Sequence, residues 1–86
     1  MPVISKFYGI VIRIFFKKMF EAHFHAICGD NEIMVGIAPV RIINGEAPER
    51  VRGMVLEWAA QHQRELLQAW NQCRLARAPL QIAPLA

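Results

Sequence analysis

Little in this 86-residue chain can serve as a covalent staple or a membrane anchor. It has two cysteines, Cys28 and Cys73, in different expected elements and without a C-x-x-C pair. Disulfide scaffolds carry more cysteine at denser spacing, so both read as small buried thiols in a reducing compartment. No apolar run approaches the roughly 20 residues that cross a bilayer. The stretch Ile10 to Phe16 is interrupted by Arg13 and followed by Lys17 and Lys18. The opening Met-Pro-Val-Ile-Ser-Lys lacks the early basic patch of a secretory signal, so a cytoplasmic protein without a membrane segment is expected. Internal repeats, low-complexity linkers and a helix-turn-helix pattern are also missing.

What is present is apolar. Hydrophobic residues make up 55% of the chain, and ten Lys and Arg face seven Asp and Glu for a net charge of +3. Residues 1–86 allow one domain only, and a chain this short buries only about 60% of the surface its unfolded form exposes. The apolar surplus therefore points to a partner: a homodimer or a hetero-complex is expected. The mildly basic balance favours an acidic partner, with RNA or DNA among the candidates, but a solvated basic surface accounts for it equally well.

The first half alternates as strands do. Phe7 to Phe16 reads as one strand in the middle of a sheet, with Ile10, Ile12, Ile14 and Phe16 on one face and Val11, Arg13 and Phe15 on the other. Lys17 to Ala22 connects it to a second strand, His23 to Cys28, whose inward row is Phe24, Ala26 and Cys28. Gly29-Asp30-Asn31 is a hairpin turn. Glu32 to Ile37 is a third strand, and after Pro39 comes a short edge strand, Val40 to Ile43. Asn44-Gly45 reads as a further turn.

At Pro48 the period changes to that of a helix, with Glu49 complementing the helix dipole. Val51, Met54, Val55, Trp58, His62, Leu66, Ala69, Trp70 and Cys73 form one apolar stripe at steps of three and four. The sequence thus predicts an α+β fold. A three- to four-stranded, mainly antiparallel sheet (about 3–43) precedes one long C-terminal helix (about 48–77), continuous or gently bent. An irregular tail (78–86) offers Leu80, Ile82 and Leu85 to the sheet. A helix of thirty residues spans about 45 Å. Either it bends or breaks near Gln61 to Gln63, or its second half packs on another subunit.

Three blocks carry a resemblance: the opening Met1 to Ile12, the run His23-Phe24-His25-Ala26, and Leu56-Glu57-Trp58 followed by His62, Glu65-Leu66-Leu67 and Trp70. Together, and in this order, they resemble the small bacterial family known as domain of unknown function 4160. The resemblance implies membership of a toxin–antitoxin-like or regulatory two-gene unit, with a protein partner encoded by the neighbouring gene. Members of that family usually lead into the histidine block with something like K-D-H-N-P-P-H-F-H-A. Here the lead-in is Lys17-Lys18-Met19-Phe20-Glu21-Ala22, without the extra histidine and prolines, which makes the loop more flexible and removes candidate ligands or proton carriers.

The chemistry centres on His23 and His25. Strand parity turns Phe24 inward and presents both imidazoles together on the other face, to solvent or to a pocket mouth. Three readings follow. In the first, an interaction module, the histidine face is the functional surface and Met19, Phe20 and Trp70 meet the partner. In the second, a metal-independent ribonuclease, His23 and His25 act as acid and base, and Lys17, Lys18 or Arg13 supplies the cation beside the phosphorane. In the third, His23, His25 and His62 hold a metal, zinc being the candidate; His62 also lies in the helix stripe, where a core-edge imidazole is the plainer reading. No cofactor is otherwise called for. Arg50, Arg52, Arg64, Arg74 and Arg77 are interspersed with Glu49, Glu57 and Glu65, which is the pattern of surface pairing rather than of a nucleic-acid face.

Overall fold

The structure, a computed structural model, describes residues 2–86. Five antiparallel strands come first: β1 (Val3–Phe7), β2 (Ile10–Arg13), β3 (His23–Cys28), β4 (Asn31–Ile37) and β5 (Val40–Glu46). They lie side by side in chain order as a meander. Two helices follow, α1 (Glu49–Gln61) and α2 (Gln63–Arg74). The α+β class stands, but the sheet has five strands rather than three or four, and the long helix is two. No helix among the described residues is long and apolar enough to cross a membrane.

The extra strand arises because Phe7 to Phe16 is not one element. Tyr8 and Gly9 both have positive φ, 50° and 78°. That is the conformation of a two-residue primed hairpin, whose twist matches the flanking strands. Glycine announces such a turn and tyrosine does not, so the apolar run masked it. Asn44-Gly45 errs the other way: both lie inside β5. The β4–β5 register shifts between Met34 and Val35, leaving Ile43 as the extra residue of a bulge. Gly45, at φ +86°, brings its backbone against the Glu32 carbonyl where no Cβ would fit.

The helix breaks for reasons of size and tethering. A straight helix over 48–77 would span about 45 Å, whereas the longest dimension of the molecule is 33 Å. The chain turns at His62 (φ −118°, ψ 24°). There His62 Nδ1 donates to Glu65 Oε1 at 2.6 Å, and Gln63 Nε2 donates to the Ile37 carbonyl at 2.8 Å, fixing the start of α2 to the end of β4. The break lets Val51, Val55, Trp58 and Ala59 of α1 and Leu66, Ala69 and Trp70 of α2 share one core with Ile12, Phe24, Ile33 and Val35. Trp58 is fully buried against Phe7 and Phe24, ring centroids 5.4 and 5.6 Å away.

The irregular tail is bound at several points. Ile82 N–H donates to the Ile4 carbonyl (2.8 Å) and Gln81 Nε2 to the Val3 carbonyl (2.7 Å). The Trp58 indole N–H donates to the Ala83 carbonyl at 2.8 Å. Ile82 is buried and Leu85 packs against the core, but Leu80 is exposed and does not join them.

Candidate functional site: a buried histidine pair

Strand β3 runs His23–Cys28 as its alternation predicts, and parity holds. Phe24 and Ala26 face the helices, while His23 and His25 stand together on the other row, ring centroids 5.2 Å apart and nearly perpendicular. Their exposure is the correction. Instead of facing solvent, His23 is completely buried and His25 is 8% exposed.

The cover comes from the connection between β2 and β3. Phe15 continues the Val11–Arg13 row past the end of β2 and stacks on His25 at 5.2 Å with only 14° between planes. It also meets His23 edge-on at 6.0 Å. Phe20 packs on His23 at 4.9 Å, and Trp70 of α2 does so at 5.0 Å. The loop is anchored as well as packed. Glu21 Oε1 accepts from Arg41 Nη2 at 2.7 Å, and the Ile37 N–H donates to the Ala22 carbonyl at 3.0 Å. Gly36, opposite His23 in the ladder, leaves the space that the Glu21 carboxylate occupies.

Each imidazole is oriented through Nδ1. His23 Nδ1 donates to the Glu21 carbonyl at 2.8 Å, and His25 Nδ1 donates to Glu32 Oε2 at 2.9 Å. Carbonyl and carboxylate oxygens only accept, so Nδ1 carries the hydrogen and a neutral ring presents Nε2 as a lone pair. Both Nε2 atoms are buried and have no hydrogen-bond partner. Burial pulls the His23 imidazole below its ordinary value of 6.5. The Glu21 carbonyl opposes this, and the charges of His25 and Lys17 add to the lowering.

The other expected residues divide. Lys17 is near: its ammonium lies over the Phe20 ring, 5.2 Å from the centroid. Arg13 is the ladder partner of His25. Met19 is 95% exposed and Phe20 39% exposed, so both remain available on the surface. Trp70 does not; its ring is 7% exposed, packed between Phe16 and His23 within this chain. His62 sits at the helix break against Trp58 and Glu65. The three-histidine metal set is not assembled: the described residues contain no group of three or more His, Cys, Asp or Glu that could hold a metal. Cys28 and Cys73 are free and half-buried, and burial raises the Cys73 thiol.

Two contributors escaped the sequence reading. Glu32 orients His25, and Phe15 roofs it. The signal for Glu32 was in the turn. A two-residue Gly29–Asp30 loop places Ile27 opposite Glu32, which sets Glu32 diagonal to His25 on the same face.

Residues 9–71 match the family described as Domain of unknown function (DUF4160), a span that holds both histidines, their loop and Trp70. No curated protein and no solved structure matches the chain.

Proposed function

We propose, taking as premise that this chain belongs to the family described as Domain of unknown function (DUF4160), that it is the binding member of a two-protein unit. Its partner is the protein encoded beside it, in a toxin–antitoxin-like or regulatory pair. One observation carries the reading: Met19, a large apolar side chain, stands 95% exposed on an otherwise anchored loop. With Phe20, Glu21 and Ile43 it lines an open depression beside β5, the last strand of the sheet. An extended partner segment added along β5 gains main-chain hydrogen bonds and places an apolar side chain in that depression. The histidines then set the floor on which the loop rests.

Co-expression with the neighbouring gene product, followed by size-exclusion chromatography, tests the reading. Co-elution is expected for the wild type, and Met19→Asp should weaken the complex by roughly 10-fold or more, the order of a truncated interface anchor. Elution of the wild-type chain as a lone monomer overturns the proposal.

The free Nε2 atoms favour a second reading, metal-independent RNA cleavage with His23 and His25 as acid and base and Lys17 beside the phosphate. It requires Phe20 and the loop to swing aside, since neither Nε2 is accessible. His25→Ala should then abolish cleavage without loss of fold by circular dichroism. Undiminished cleavage by that variant excludes the mechanism.

A further inference from the structure

Leaving one buried acceptor unpaired costs about 1–3 kcal/mol. Besides the Ser5 hydroxyl, this fold leaves two adjacent rings unpaired at the same ring position. His23 and His25 are also turned alike, each with Nδ1 tied to an oxygen and Nε2 free. A carbonyl or carboxylate holding the far nitrogen is how metal-binding imidazoles are oriented and made more basic. A bridging water is the competing occupant. It would donate to both nitrogens, but the Phe15 and Phe20 rings packed on the pair offer its oxygen no donor, so any third partner must come from beyond them.

The ligand set selects the ion. Zinc closes a tetrahedron and hard divalent cations need several oxygens. The described residues hold no such group. Two neutral imidazoles suit an ion that accepts two or three soft ligands and brings a single charge. That describes Cu(I), which thioether sulfur also favours. Met34 is the ladder partner of His25, shares its face and lines the same shallow depression. The Glu32 carboxylate behind His25 balances one positive charge, and the nearby Lys17 ammonium penalises a second. The aromatic rings exclude water and can face a soft cation with their π clouds.

We propose that His23 and His25 bind one Cu(I) ion through their Nε2 atoms, with the Met34 thioether as a third ligand. Phe20 and Glu21 are shared with the docking depression at Met19, but the three ligands do not line it, and metal binding is read without the protein partner.

Anaerobic titration of the whole chain with Cu(I) against the chromophoric chelator bicinchoninate tests the site. Removal of one equivalent from the chelator is expected, with X-ray absorption reporting two nitrogen ligands and one sulfur. His25→Phe should lose at least about 100-fold in affinity, and Glu32→Gln, which removes only the orienting carboxylate, about 10-fold. His62→Ala should bind as the wild type does. Should His25→Phe fail to fold, nitrogen NMR of the wild type decides: both Nε2 resonances must shift on adding Cu(I). Failure to compete with the chelator, tighter binding of Zn(II) than Cu(I), or unmoved Nε2 resonances would each overturn the proposal.

Discussion

The two faces of the sheet are built on opposite principles. The face under the helices is closed almost wholly by apolar packing: Ile12, Phe24, Ile33, Val35, Val55 and Trp58 are all fully buried, with Ser5, opposite Ile12, a buried polar side chain beside them. The other face buries polar groups. His23 and His25 are covered by Phe15 and Phe20 of one connection and by Trp70 of α2, with Glu32, Met34 and Asn44 at the margin. A face of the first kind maximises stability, because every buried atom loses water and gains packing. The second kind gives up part of that gain by hiding two unpaired nitrogens, and a protein this small has little stability to spare. On the proposed readings, the first face is a foundation and the second a working surface.

The contrast should appear most strongly in core truncations. Ile33→Ala, on the helix side, should cost about 2–5 kcal/mol in urea denaturation, whereas Met34→Ala, its half-buried neighbour on the other face, should cost about 1 kcal/mol. Equal losses would mean that both faces are structural. A smaller effect is expected with pH. His23 titrates below 6.5 when folded, so between its folded value and 6.5 the unfolded chain binds the extra proton. Stability is therefore full above 6.5 and falls as pH drops through that window. Lys17, His25 and Glu21 are the charges that act on the ring. His23→Phe should flatten the slope measured as urea midpoints between pH 7.5 and 5, and a slope left unchanged would assign the acid sensitivity elsewhere. The smallest effect belongs to the periphery. Gln81→Ala removes an exposed side-chain hydrogen bond and should cost roughly 0.5 kcal/mol, seen as faster local amide exchange at Ile82 with the global midpoint almost unmoved.

The sequence disclosed the parts governed by local rules. Alternation marked His23–Cys28 and put both imidazoles on one row, and Gly29-Asp30 marked the hairpin that follows. The step of three and four located the helical stripe from Val51 to Trp70. What stayed hidden was set by contacts between distant residues. The length of the stripe already called for a bend or break near Gln61 to Gln63 or for a second subunit, but no glycine or proline chose between them. The break follows from Gln63 reaching Ile37 and from the limited length of the sheet beneath. The hairpin at Tyr8-Gly9 was concealed by an aromatic residue in a left-handed conformation. Burial of the histidines was the costliest omission, because parity fixes which side a ring takes and not what covers it. Phe15 and Phe20 were legible as apolar residues, but only the loop's return, held by Glu21 and Arg41, turns them into a roof.

The tail along β1 limits how copies of this chain can join. By occupying the Ile4 carbonyl it caps one margin of the meander, so head-to-tail stacking of sheets, the geometry that leads to fibres, lacks one of the two surfaces it needs. Self-association through strands is left with β5 meeting β5 about a two-fold axis. That arrangement closes at two subunits and gives a continuous ten-stranded sheet instead of an open polymer.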